Sequence, residues 1–406
     1  MQTFKILTLG CKVNQYESQA IRENLSPQNL SEVSSGVIAD VYVINTCTVT
    51  DKADRESFYL INRAIKENPK AKIIVTGCLV EKDKDKILNR FGGRVEIIKN
   101  SQKTYGISDF KGHDRAFVKI QDGCDNFCSY CKVPLVRGRS KSRPLDEIIK
   151  EVNCLTERGF KEIVLTGICL GAYGRDLSPK LSLADVLERL GKINNIARIR
   201  LSSIEAEDVS KDLIKAICNY KFISKHLHLP LQSGDDRILK KMNRKFLTKD
   251  FLGLVSNLRK KIPQIAITTD VIIGFPYETN KNFLNTLNFI KKINPSRTHI
   301  FSYSDRAGTK AVEFFPKVSD EDKKKRFLEL KKVCDNLAYQ YHKKFLNKEV
   351  RVLVESARDK KNGFQVGYTD NYIKILVDSK NDLRRELVNL KINKVTKENI
   401  YAKYPC

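Results

Sequence analysis

Ala116-Phe117-Val118-Lys119-Ile120, followed closely by Cys124-Asp125-Asn126-Phe127-Cys128-Ser129-Tyr130-Cys131, is the stretch from which the fold can be read. The apolar run reads as a buried strand, and three thiols follow it on one short loop, separated by three and then two residues. Thiolates select soft metals, and three on one loop can hold three irons of a cubane 4Fe-4S cluster. The fourth iron then stays open to a substrate. Zinc loops usually carry thiols in pairs with a fourth partner nearby, and this loop lacks that fourth partner. Zinc and three unrelated core cysteines are the other readings.

Downstream of the loop, strands are expected over 162–165, 197–201, 226–229, 266–273 and 298–301. Helical patterns near 181–190, 208–219, 249–260 and 279–290 alternate with them. With the first strand this makes six strand–helix repeats, a partial (βα)6 version of a TIM-like barrel, whose active groups project from the carboxyl ends of the strands. Polar residues recur at those ends: Gly167, then Ser202, Ser203 and Glu205, then Gln232 and Ser233, then Gly274. Each alone reads as a cap or turn residue; their repetition favours a lined cavity. His228 sits in an alternating strand pattern and by itself reads as a core or rim histidine. The basic run 137–143 offers phosphate contacts or a solvated loop.

Upstream, a strand over 4–9 turns at Gly10-Cys11, one over 41–45 is followed by Cys47, and one over 73–77 by Cys78. Three such units predict a small doubly wound sheet. Parallel strands would carry Cys11, Cys47 and Cys78 to one sheet edge, geometry suited to a second metal site. Singly, each reads as a buried small hydrophobe. The turns do not match a dinucleotide or P-loop fingerprint. A strand near 95–99 closes this unit, and 100–115 reads as a linker.

The basic run 323–326 begins an amphipathic helix reaching about residue 346. Short strands over 350–355, 363–368, 372–378, 386–392 and from 401 predict a small antiparallel β-barrel. Phe364, Tyr368 and Tyr372 among Arg351, Arg358, Lys360, Lys361 and Lys374 suit stacking on single-stranded nucleic acid. The expected divisions are 1–105, 106–343 and 344–406, an α/β multidomain chain.

The 406 residues carry 74 basic and 48 acidic side chains, a formal charge of +26, which favours a polyanionic partner. The start reads as no signal peptide and no apolar run is long enough to span a bilayer, so no membrane association is expected. Eleven cysteines without a secretory leader fit reducing cytosol, and the expected location is cytoplasmic.

The Cys124, Cys128, Cys131 spacing, with Tyr130 before the last thiol, resembles the signature of the radical S-adenosylmethionine superfamily. Essentially the whole chain resembles its methylthiotransferase branch, built from a flavodoxin-like domain with an auxiliary 4Fe-4S cluster, a radical domain and a C-terminal TRAM domain. Cys11, Cys47 and Cys78 match the auxiliary cysteines, and the run from Gly363 to Tyr372 looks like the TRAM segment. The resemblance implies two 4Fe-4S clusters, two S-adenosylmethionine molecules, and sulfide or polysulfide at the auxiliary cluster. One cofactor molecule would methylate that sulfur; the other would give an adenosyl radical that attacks an unactivated C–H bond. Cofactor contacts are expected from Tyr130, Gly167, Ser202, Glu205 and Gly274, with His228, Gln232 and Ser233 on the wall facing cofactor or base. Cys154, Cys169, Cys218, Cys334 and Cys406 match no cluster motif and are expected to be structural.

Within the branch, Gly10-Cys11-Lys12-Val13 resembles the enzymes that methylthiolate C2 of N6-threonylcarbamoyladenosine at tRNA position 37. The isopentenyladenosine branch usually has Gln-Met in place of Lys12-Val13, and the ribosomal-protein branch usually has an acidic TRAM domain. Implied partners are a tRNA anticodon stem-loop, a low-potential electron donor such as flavodoxin or ferredoxin, and a sulfur donor. A single-cluster RNA methyltransferase and a non-enzymatic iron–sulfur RNA-binding protein are the rival readings.

Overall fold

The structure, a computed structural model, describes residues 2–26, 30–34, 36–99 and 106–404. Residues 100–105 of the expected linker, the boundary at 105/106 and Cys406 lie outside the described residues.

The first unit runs β1 (Gln2–Thr8), α1 (Lys12–Leu25), β2 (Leu30–Glu32), β3 (Val41–Thr46), α2 (Asp51–Glu67), β4 (Lys72–Gly77), α3 (Cys78–Phe91) and β5 (Val95–Ile97). Its sheet is parallel throughout, in the order β2-β1-β3-β4-β5. That is the flavodoxin-like order. β3 is buried at every position because helices cover both faces, which is why it reads as continuous apolar sequence. Val41 and Val43 face one core with Ile21 and Leu25 of α1; Tyr42 and Ile44 face another with Phe58 and Ile61 of α2.

The middle unit comprises β6 (Ala116–Lys119), β7 (Gln121–Asp122), α4 (Val133–Arg137), β8 (Lys141–Ser142), α5 (Leu145–Glu157), β9 (Glu162–Thr166), α6 (Leu183–Leu190), β10 (Arg198–Leu201), α7 (Lys211–Asn219) and β11 (His226–His228). It continues through α8 (Asp236–Lys241), α9 (Thr248–Lys261), β12 (Ala266–Ile273), α10 (Asn280–Ile293), β13 (Arg297–Ser302) and α11 (Asp320–Lys343). β6, β9 and β10 pair in parallel, as do β11, β12 and β13. Parallel bridges Ile199↔Ile223 and Ser203↔His228 join the halves into one curved wall. Serine and threonine side chains set the helix starts: Ser182 accepts from the Asp185 amide, Ser210 from Leu213 and Thr279 from Asn282.

The last unit, β14 (Glu349–Arg358), β15 (Gln365–Thr369), β16 (Lys374–Asp378), β17 (Leu387–Val395) and β18 (Ile400–Lys403), closes in the order β14-β15-β16-β18-β17. Four pairings are antiparallel and β16–β18 is parallel. Tyr341 of α11 and the following Phe345 join its core beside Val352 and Ile375, so α11 belongs to both neighbours. Among the described residues no helix is long and apolar enough to cross a membrane.

Candidate functional site: two cysteine triplets and the cavity beside them

In the first unit, register decides the site. Thr8 pairs with Asn45 and Thr46 with Gly77, so Cys11, Cys47 and Cys78 emerge together at the carboxyl edge of β1, β3 and β4. Asn14 Nδ2 donates to the Thr46 carbonyl at 2.9 Å and Asn45 Nδ2 to the Asn14 carbonyl at 2.9 Å, fixing the start of α1 against β3. Gly77 adopts φ 97°, and a Cβ there would stand 2.3 Å from the Thr46 carbonyl oxygen; only glycine turns the chain into Cys78. Burial pushes the Cys78 thiol up to about 11 and also raises Cys47.

The barrel closes over this edge. Arg137, at the end of α4, places Nε 3.2 Å from Cys78 Sγ and donates to Glu17 at 2.6 Å and Asn14 at 2.9 Å. Its side chain is 1 % exposed. Lys132 Nζ donates to Thr48 Oγ1 at 2.9 Å, and Arg306 donates to the Thr48 carbonyl and to Asp54, each at 2.7 Å. The segment after Cys47 is therefore held by two cations of the middle unit.

The second triplet is local. Gly123, at φ 71°, lets the loop pass under Arg139, whose carbonyl oxygen would stand 1.9 Å from any Cβ. Tyr130 anchors the loop by setting its ring edge-on to Phe275 at 6.4 Å, in a cluster with Ile238 and Met242. Burial pushes Cys131 up to about 12 and raises Cys128, although Arg244 stands 3.5 Å from the Cys128 sulfur. Cys124 is lowered by a hydrogen bond from the Cys169 thiol. Arg244 also pairs with Glu205 and donates to the Pro230 carbonyl at 3.0 Å.

Buried thiols with raised pKa values ionise only if a strong positive centre joins them. Neither triplet is gathered for a single ion: sulfurs on one tetrahedral zinc lie about 3.8 Å apart. Among the described residues the one set of three metal-capable ligand atoms within 4.8 Å is that of His228, Asp270 and His299. The donor chemistry of such thiolate sets suits the soft irons of an iron–sulfur group. Beside the barrel strand ends, the Ser202 hydroxyl oxygen is buried without a hydrogen-bond partner, as a ligand-facing group would be.

A cavity of ≈ 860 Å³ is lined by Lys12, Ser202 and Ser203, by the histidines of the barrel, and by Tyr372 and Lys374 of the last unit. His228 is engaged at both nitrogens, Nδ1 with Thr268 Oγ1 at 2.9 Å and Nε2 with the Asp270 carboxylate at 3.2 Å. Burial lowers the pKa of His226 well below the usual value and that of His299 as well, so both are neutral near pH 7. The Gln232 amide donates to the Asp270 carbonyl at 2.8 Å.

Several expected ligand contacts are occupied by protein instead. A Cβ at Gly167 would meet Gln121 Oε1 at 2.8 Å, and one at Gly274 would meet the Lys323 side chain at 2.4 Å, so both glycines accommodate protein packing. Ser233 is fully buried and faces Thr286 of α10 at 3.2 Å, away from the cavity. Of the basic run, Arg137 is buried at the unit interface and Arg143 pairs with Glu151 at 2.7 Å, leaving neither for phosphate. The Tyr372 ring packs 4.4 Å from the Arg200 guanidinium and 5.3 Å from Tyr368, so the barrel contact claims both aromatics. Arg244 and Arg306 gave no functional signal beyond charge, because an isolated basic residue has no spacing to read.

Residues 3–98 match the family described as "Uncharacterized protein family UPF0004" and residues 118–290 the "Radical SAM superfamily". The threonylcarbamoyladenosine tRNA methylthiotransferase MtaB of Bacillus subtilis (strain 168) is 37% identical, over 97% of this chain and 94% of that one. MtaB of Thermotoga maritima is 36% identical over 92% and 91%. The tRNA-2-methylthio-N(6)-dimethylallyladenosine synthase of Thermodesulfovibrio yellowstonii is 34% identical over 97% of each chain. In fold, the chain resembles the cobalamin-dependent S-adenosylmethionine radical enzyme OxsB, with TM-score 0.54 and 12% identity, over 84% of this chain and 58% of OxsB. It also resembles the radical S-adenosylmethionine methyltransferase TsrM from Kitasatospora setae, with TM-score 0.54 and 12% identity, over 74% of each. Matched nearly end to end by such relatives, the chain belongs to the radical S-adenosylmethionine methylthiotransferase family and is an MtaB-like member of it.

Proposed function

We propose that this tRNA methylthiotransferase acts on C2 of N6-threonylcarbamoyladenosine at position 37, using two 4Fe-4S clusters and two S-adenosylmethionine molecules. The observation that carries the two-cluster part is Arg137, which follows the Cys124–Cys131 loop by one short helix and reaches Cys78 at 3.2 Å. A single guanidinium thus links the segment after one triplet to a member of the other. The substrate part is supported by the MtaB-named relatives, whose names specify threonylcarbamoyladenosine.

When bound, the cofactors supply a methyl group, a sulfur at the auxiliary site, and a one-electron cleavage that yields a hydrogen-abstracting radical. In this reading Cys11, Cys47 and Cys78 hold the auxiliary cluster; Cys124, Cys128 and Cys131 hold the other. Glu205 and Ser202 line the cofactor's place, Glu205 oriented by Arg244 and Ser202 offering its unpartnered hydroxyl. Tyr130 holds the loop from behind, and His228 and Gln232 order Asp270 on the cavity wall. Lys374 and Lys397 add positive charge to the cavity lining from the last unit, which would attract the anticodon stem-loop. A low-potential electron donor, a sulfur donor and a cytoplasmic setting complete the proposal.

The test compares anaerobically reconstituted wild type with the Cys11→Ala, Cys47→Ala, Cys78→Ala triple variant by iron and sulfide content and electron paramagnetic resonance. Mass spectrometry of threonylcarbamoyl- and isopentenyl-modified stem-loops follows the chemistry. Loss of one cluster, a remaining cluster that responds to S-adenosylmethionine, and methylthiolation of the threonylcarbamoyl loop by wild type alone are expected. An unchanged cluster count would favour the single-cluster methyltransferase, and turnover of the isopentenyl loop alone would overturn the substrate.

A further inference from the structure

Several charged groups lining the cavity are committed to protein partners. Arg200 pairs with Glu162 at 2.8 Å and donates to the carbonyls of Thr369 and Asp370, while Asp270 faces His228. Lys331 pairs with Asp335. Lys12, Arg297, Lys374 and Lys397 line the same cavity with no carboxylate paired to them among the described residues, and of these four Lys12 alone adjoins a cysteine of either triplet.

Helix stability gives no reason for a cation there. Lys12 is the first residue of α1, whose first turn contains no acidic side chain. A positive charge at a helix N-terminus opposes the macrodipole, whereas an anion would be favoured by it. Lys12 and the unbonded first amides of α1 thus add their fields in one direction, toward something negative. A second polar group at the cavity wall lacks a protein partner. His226 is 4 % exposed, its Nε2 meets Thr268 Oγ1 at 2.9 Å, and its Nδ1 is buried with no partner although the residue lines the cavity.

We propose that Lys12 binds the threonyl carboxylate of the substrate and thereby sets the enzyme's preference for an acidic N6 substituent. This rests on the threonylcarbamoyladenosine reading above. The chemistry suits the position. C6, which bears the substituent, and C2, which receives sulfur, flank the same ring nitrogen, so the carboxylate-binding group must stand close to the sulfur-delivering site. Lys12 adjoins Cys11 in the chain. Lys374 and Lys397, which line the same cavity from the last unit, remain for phosphates. An unmodified or isopentenylated adenine brings no charge to Lys12 and would leave it desolvated and unpaired.

The test measures binding of reconstituted wild type, Lys12→Gln and Lys12→Arg to stem-loops of one sequence. The loops carry the threonylcarbamoyl group as the free acid, the same group as its methyl ester, or an isopentenyl group. Phosphate contacts are common to all three, so affinity ratios isolate the carboxylate. Wild type is expected to bind the acid about 10- to 100-fold more tightly than the ester, the range of a charge-assisted hydrogen bond. Lys12→Gln should level that ratio with iron content unchanged, and Lys12→Arg should keep most of it. A Lys12→Gln protein that still prefers the acid overturns the assignment of Lys12. A wild type indifferent to esterification overturns carboxylate recognition itself. In either case methylthiolation of the threonylcarbamoyl loop by wild type reports separately whether the substrate reading stands.

Discussion

The two cysteine triplets are assembled by opposite routes. Cys124, Cys128 and Cys131 share one loop, and the sequence between them sets their spacing. Cys11, Cys47 and Cys78 come from three strands, and their meeting depends on sheet register and on cations supplied by the barrel. A local site should survive the loss of a distant neighbour; a dispersed one should not. Arg137 gives the sharpest way to break this comparison. It is 1 % exposed and shares Glu17 and Asp122 with Lys119, so Arg137→Met leaves two carboxylates on one ammonium, at a cost of about 2–3 kcal/mol. Urea unfolding should show that loss, and iron analysis should show about four irons missing from the auxiliary site under the two-cluster reading. Arg244→Met is the matched change beside the local triplet, where iron should be retained. Equal iron loss in both variants would erase the distinction between local and dispersed sites.

Glycines sharpen the comparison at the next scale. Gly77 and Gly123 each precede a cysteine at positive φ, and each is closed off by a backbone carbonyl. Alanine at either position forces a strained residue into backbone contact, at about 1–3 kcal/mol before any movement of neighbours. Gly123→Ala should displace a loop that can shift as one body, carrying all three of its thiols along. Gly77→Ala should move Cys78 away from Cys11 and Cys47, because those lie on other strands. Auxiliary iron should therefore fall more in Gly77→Ala than loop iron falls in Gly123→Ala, read by the two clusters' paramagnetic signals. Equal losses would mean that the loop is as dependent on its surroundings as the sheet edge.

The same division decides what could be read from sequence. The loop was legible because spacing alone carries its chemistry, and the sheet edge because strand, turn and cysteine recur three times. The six barrel repeats were legible from alternating strand and helix patterns, and β3 from its unbroken apolar run. Gly167 and Gly274 read as cofactor contacts, and only the fold reveals Gln121 and Lys323 beside them where a Cβ would stand. Arg137 and Arg143 read as phosphate contacts because their run is basic, but Glu17 and Glu151 meet them in tertiary structure. Tyr368 and Tyr372 fit an RNA-stacking pattern equally well before Arg115 and Arg200 are seen against them. Sequence assigned chemical type correctly at these positions and could not assign the partner.

Arg306 tests the smallest part of the contrast, the barrel's grip on the segment after Cys47. Its guanidinium binds the Thr48 carbonyl at 2.7 Å and Asp54 at 2.7 Å, and it also pairs with Asp51, which is half exposed. Water can replace part of these contacts, so Arg306→Gln should cost less than Arg137→Met, about 1–2 kcal/mol. The effect should stay local. Ser57 Oγ still donates to the Cys47 carbonyl at 3.0 Å and Lys132 still holds Thr48 Oγ1. Amide hydrogen exchange over 47–54 should quicken about tenfold while the Cys124–Cys131 loop stays protected as in wild type, the signature of a sub-global opening. Faster exchange in both segments would show that the two triplets open as one cooperative unit, and the difference between local and dispersed sites would then be one of origin in the chain alone.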